Sequence, residues 1–167
     1  YSVNGVPWAA MDGVAPTGSA YSGAPANVTQ TSIDNRYGVS SPLAVSVTHQ
    51  LTSGYDSILI AVNVNNPGTS SFTSGSAGSL KLHTVIVEEE INYPVAPGSN
   101  GEKDFFSLMR KMLPNANGTA LADAWTAGQS QTFTFAVALP TYIANLGEIA
   151  VVAFVQDNSS KDVKNAA

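Results

Sequence analysis

The chain has 167 residues, about one domain's length, and only 11% are charged against roughly 25% in an average soluble domain. Seven Lys and Arg against twelve Asp and Glu give a net charge of −5. That balance excludes a coiled coil, a charged disordered tail and a nucleic-acid binder, because phosphate neutralisation needs clustered Lys and Arg. A chain without Cys has no disulfide framework, thiolate metal site or thiol nucleophile, and no apolar run reaches the ~18 residues of a membrane-spanning helix.

Residues 1–41 are rich in Gly, Ala, Pro and Ser and read as an irregular N-terminal arm without a core of its own. Pro7 biases Val6 toward extended backbone, and Asp12-Gly13 marks a turn. Residues 14–26 read as loop. Asn27 to Tyr37 predict one or two helical turns, with Asn27 as the cap.

From Pro42 the pattern becomes that of strands. Leu43, Val45, Val47, His49 and Leu51 alternate with polar or small residues, the mark of a half-buried strand. Thr52-Ser53-Gly54 is a hairpin connection. Ile58, Ile60, Val62 and Val64 form a second strand, ended by Asn66-Pro67-Gly68. The Ser/Thr/Gly stretch that follows reads as a surface loop. Leu80 to Glu90 is a third strand, and Val85-Ile86-Val87 suits a central position because it is apolar on both faces. Phe105, Phe106, Leu108, Met109, Met112 and Leu113 recur at three- and four-residue spacing, which predicts a short helix over 104–113, stopped by Pro114. Phe133 to Leu139 and Ile149 to Val155 complete five clear strands, with weaker ones near 120–125 and Val163. The expected fold is mostly β: an antiparallel immunoglobulin- or fibronectin-like sandwich over 42–167, with one short helix and the 1–41 arm. No internal repeat is visible.

Candidate chemistry is sparse. Glu88 and Glu90 share a strand face about 7 Å apart and could form a weak cation site or half of a glycosidase carboxylate pair. The plainer reading is a solvated strand end that resists edge pairing. His49 and His83 could meet on adjacent strands, but two imidazoles without a third ligand make a thin metal site. The Asp34-Asn35-Arg36 cluster reads as a local polar turn. Ser57, in Asp56-Ser57-Ile58, fits a short bacterial surface-glycosylation pattern. Trp8, Trp125, Tyr21, Tyr55, Tyr93 and Tyr142 could include a sugar-stacking platform, with packing as the default. No nucleophile elbow or phosphate loop is present, so the chain is expected not to be an enzyme and to need no cofactor.

Three segments carry a family resemblance: Arg110-Lys111-Met112-Leu113-Pro114-Asn115-Ala116-Asn117-Gly118, Val151-Val152-Ala153-Phe154-Val155-Gln156-Asp157 with the following Asn158 to Val163, and Tyr1-Ser2-Val3-Asn4-Gly5-Val6-Pro7 ahead of Asp12-Gly13. Together they resemble the twenty-eight-kilodalton outer membrane protein related family of Bacteroidetes-type bacteria. That resemblance implies an immunoglobulin-like part preceded by the end of a thioredoxin-like domain, with Pro7 at the position of a cis-proline. It also implies a fragment of a longer secreted or outer-surface protein. No Cys pair lies in these residues, so redox chemistry does not carry over. The expectation is a non-catalytic extracellular structural or interaction module with a protein partner, itself included. The arm could pack back on its own domain or add to a neighbour; edge strands offer another route to assembly. The alternatives are a carbohydrate-binding module and an accessory domain of a secreted thioredoxin-like protein.

Overall fold

The computed structural model describes residues 3–18 and 20–167. The predicted strand over 43–51 forms β1 (Ala44–Leu51), and the next forms β2 (Ser57–Asn65). They pair as an antiparallel hairpin in unbroken register, Ala44 opposite Asn65 and Leu51 opposite Ile58. Strand β8 (Ser130–Ala138) lies on the other side of β2, giving the order β1-β2-β8. Alternation sends Ile58, Ile60, Val62 and Val64 into the core, where all four are buried.

The second sheet is built on β4 (Leu80–Asn92), which pairs with β9 (Ile149–Asp157) on one side and β5 (Asp104–Leu113) on the other. β10 (Val163–Ala166) extends it beyond β9, in the order β10-β9-β4-β5. β6 (Thr119–Ala120) pairs with the start of β4, and β3 (Phe72–Thr73) with β7 (Ala124–Trp125). Leu80, Leu82 and Ile86 of β4 and Val151, Ala153 and Val155 of β9 share one hydrophobic core with the apolar row of β2. The chain is therefore mostly β, in antiparallel sheets with one short helix.

Residues 104–113, predicted as a helix, form strand β5. The cause is a β-bulge. Ile86 pairs with Lys111 and Val87 with Met109, which leaves Arg110 as the extra residue. Two-residue alternation before the bulge and after it, shifted by one at Arg110, yields the three-residue step from Met109 to Met112 that imitates a helix. The 66–79 loop is pinned as well as exposed. Buried Asn66 donates from Nδ2 to the carbonyls of Ser70 (2.9 Å) and Thr126 (3.2 Å), and Trp125 beside it is fully buried.

The helix of the arm is α1 (Gln30–Tyr37), capped by Thr29 rather than Asn27. Thr29 and Ser32 exchange side-chain-to-backbone bonds in a capping box. Asn27 is buried and donates to the carbonyl of Tyr21 at 3.0 Å, tying up the preceding loop. The Val6–Pro7 peptide is cis, as the resemblance implied.

The described arm lies back on its own domain. Arg36, in the last turn of α1, bridges Asp12 of the arm (3.2 Å) and Asp162 before β10 (2.8 Å), and Lys164 meets Asp162 at 2.6 Å. Burial pushes the Asp162 carboxyl up, but the bonds from Lys164 and Arg36 outweigh it and hold it below the ordinary range. The Val163 N–H donates to the Asp12 carbonyl at 2.7 Å. Gly13 permits this approach. Its φ is +78°, and a Cβ there would sit 1.8 Å from the Lys161 carbonyl oxygen. Gly13→Ala should therefore loosen the arm and cost more than about 1 kcal/mol. Urea unfolding, with limited proteolysis mapping new cleavage within residues 12–40, checks this.

Candidate functional site

Glu88 and Glu90 occupy the same face of β4, as predicted, but only Glu90 is solvated. Glu88 is fully buried in the row of Leu82, Thr84 and Ile86. A carboxylate there needs compensation, and both of its oxygens are engaged. Oε1 accepts the N–H groups of Ala144 (3.0 Å) and Asn145 (2.6 Å). Oε2 lies 2.7 Å from both Nε and Nη2 of Arg110. Three hydrogen bonds and the ion pair together compensate the buried charge. Arg110 reaches Glu88 from the bulge, where it is the residue left without a cross-strand partner.

The segment after β8 completes the arrangement. The Tyr142 hydroxyl donates to the Arg110 carbonyl at 2.7 Å, and the guanidinium lies 5.7 Å from the Tyr142 ring centroid. One buried charge pair thus joins β4, β5 and the β8–β9 connection. This corrects the reading of Glu88 as part of a solvated strand end. Its carboxylate is engaged by a cation already, and Asn92 donates to Glu90 separately at 3.1 Å. Among the described residues, no group of three or more His, Cys, Asp or Glu is placed to hold a metal ion.

The two imidazoles do not meet. His49 lies in the inward register opposite Ile60, but on an edge strand, and is exposed. His83 lies on β4 of the other sheet, opposite Phe154 of β9, and its buried ring stacks on that phenyl ring at 5.0 Å. Burial holds the His83 imidazole below its ordinary 6.5, with Lys161 and Lys81 adding to the effect against a hydrogen bond to Asn158, which raises it.

Ser57 opens β2, half-buried and opposite Ala138. Its carbonyl accepts from the N–H and hydroxyl of Thr52. The adjacent Asp56 is exposed, and hydroxyl bonds from Thr52 and Ser57 hold its carboxyl below the ordinary range. The aromatic set disperses. Trp125 is core, Tyr93 meets the edge of Phe105, and the Tyr21 hydroxyl donates to the Pro7 carbonyl. Tyr55 and Tyr142 are exposed. Asp34 accepts from Gln30, while Arg36 of the same predicted polar cluster belongs to the arm's ion network. Arg110 was missed as a partner of Glu88 because a helix was expected there. The signal available in the sequence was a buried-looking strand, Leu80 to Glu90, that ends on carboxylates and needs a cation.

Antiparallel sheets over one core, a strapped arm and a buried ion pair define a mostly β domain with one short helix. The chain belongs to the family described as outer membrane protein Omp28, and the match covers residues 1–167. No curated protein matches it. Its fold is similar to that of HBP35 of Porphyromonas gingivalis, with a TM-score of 0.70 at 16% identity over 99% of this chain. The chain spans only 52% of that structure's length. A domain of the outer membrane lipoprotein Omp28 from Porphyromonas gingivalis aligns with a TM-score of 0.47 at 12% identity, over 76% of this chain and 85% of the other.

Glu88→Ala should cost about 3–5 kcal/mol, because it strands a buried guanidinium and two N–H groups. Glu90→Gln should stay within about 0.5 kcal/mol. Urea midpoints at constant slope check the pair. The neutral His83 ring gives a second expectation. Below about pH 6.5 the unfolded chain binds a proton more readily than the folded one, so stability falls with pH until the folded ring itself titrates at a lower value. His83→Phe should flatten that slope, as read by thermal melts stepped from about pH 7.5 to about pH 5.

Proposed function

We propose that this chain is a non-catalytic structural and interaction module of an outer-membrane-associated protein, built as an immunoglobulin-like sandwich and displayed outside the cell. The carrying observation is the Glu88–Arg110 pair. Of the two carboxylates that the sequence singled out for acid–base or cation chemistry, Glu88 is held by the Arg110 ion pair and two backbone N–H groups and ties three elements together. Membership of the Omp28 outer membrane protein family supports the location. The described arm is strapped to its own domain through Asp12, Arg36 and Asp162, which favours assembly through strand edges over exchange of the arm.

Carbohydrate binding is the second reading. Tyr55 in the β1–β2 turn and Tyr142 after β8 are exposed, and the pairing of Ser57 with Ala138 places both connections at one end of the three-stranded sheet. Aromatic faces there could stack on sugars. The similarity to about half of HBP35 supports a third, an accessory domain within a longer secreted protein.

Antibody against this chain should label intact cells of the producing bacterium as strongly as permeabilised ones. Labelling only after permeabilisation would overturn the surface reading. On a glycan array the chain should show no binding. Binding that is lost in Tyr142→Ala and Tyr55→Ala would replace the interaction reading with the carbohydrate one.

A further inference from the structure

The ends of the β2–β8 ladder fix which way the β8 backbone points. The Leu139 N–H bonds the Asp56 carbonyl at 2.8 Å, and the Asn66 N–H bonds the Gln129 carbonyl at 2.9 Å. In an antiparallel pair, hydrogen-bonded residues alternate. The odd-numbered residues of β8 therefore bond to β2, and the N–H and C=O groups of Thr132, Thr134 and Ala136 point to the opposite, outer edge. Among the described residues, no strand pairs with that edge. The Lys111 ammonium reaches the Ala138 carbonyl, at one end, at 3.5 Å.

The other sheet edges are protected. β5 carries the Arg110 bulge, a positive φ at Ser107 and the charges of Asp104, Arg110 and Lys111. β10 is irregular in register and strapped by the arm at Asp12. β1 packs beside β9 and β10 of the facing sheet. These are the usual defences against strand addition. β8 has none of them: nine residues in unbroken register, with no Pro and no charge. The whole sheet of β1, β2 and β8 contains no Asp, Glu, Lys or Arg, in a chain of net charge −5.

We propose that the free edge of β8 pairs antiparallel with β8 of a second copy, about a two-fold axis at Thr134, joining two three-stranded sheets into one of six. The surface is self-complementary. Pairing about Thr134 sets Thr132 against Ala136 on the outer face, and Phe133 against Phe135 on the inner face. Both phenyl rings are half-buried at the edge and gain aromatic cover across the strands. A neutral sheet is also where two copies of an acidic chain approach with least repulsion. The same residue set faces itself, so the contact closes as a dimer and does not propagate. This deepens the interaction-module reading and rests on it.

The absence of Cys makes a clean test possible. Thr134→Cys in the full chain places two thiols on the axis, at a Cα separation of about 5.5 Å in a hydrogen-bonded pair, within the disulfide range of roughly 4.4–6.8 Å. Mild oxidation should give a covalent dimer on non-reducing gels, whereas Thr48→Cys, on the outer face of β1, should not cross-link. Sedimentation of the wild type should show a concentration-dependent dimer. Thr134→Asp and Thr134→Pro, which spare the β2 ladder, should each weaken it at least tenfold. A circular-dichroism spectrum like wild type's confirms that each variant folds. A wild type that stays monomeric at all concentrations overturns the proposal. So does a dimer that persists in folded Thr134→Asp, or preferential cross-linking at position 48. Cell-surface labelling is independent of these results, so failure here leaves the location reading standing, and failure there leaves the dimer.

Discussion

A carboxylate buried on the inner face of a sheet must be matched before the chain can pack over it. Glu88 sets that constraint. Its burial demands a cation, and the cation comes from β5. Arg110 meets the carboxylate from the bulge, and the N–H groups of Ala144 and Asn145 fix the path of the β8–β9 connection. Replacing such a pair with well-packed apolar residues is often neutral or stabilising, whereas breaking it is costly. The pair therefore acts as a register lock more than as a source of net stability. A β5 slipped by one residue would leave both charges buried and alone.

The same logic explains where the sequence could be read and where it could not. β1, β2, β8 and β9 were legible because each follows a strict two-residue alternation, and alternation is a local property. β4 was legible as a central strand from its apolar run. β5 was not. Its periodicity is broken by one residue whose position answers to Glu88 on a neighbouring strand, and single-strand patterning carries no record of a cross-strand demand. The cap of α1 was displaced for a similar reason. Asn27 has the right side chain for a cap, but the loop carbonyl of Tyr21 claims it, and Thr29 with Ser32 does the capping.

The candidate site was half legible. The spacing of Glu88 and Glu90 on one face was read correctly, yet a shared face says nothing about depth. Glu88 lies where β5 and the β8–β9 connection cover the sheet, and Glu90 lies two residues farther, where cover ends. His49 and His83 fail to meet because strand parity places residues on faces within a sheet, and these two belong to different sheets. Sheet membership depends on which strands pair over long range.

The low charge content has a structural location. Charged residues gather on the β4–β5 side and around the arm, where they lock a bulge and fasten a strap. The β1-β2-β8 sheet has none, and apart from Leu59 its outward positions carry Ser, Thr, Asn, Gln and Ala instead. Those side chains keep a face wet without setting a sign, so nothing electrostatic opposes a copy that presents the same face. Charge on an edge strand is a defence that costs little, and this chain places such charge on β5 but not on β8. An asymmetry of that kind, within one molecule and between two edges on the same side of the core, separates a sealed edge from one left open to a partner.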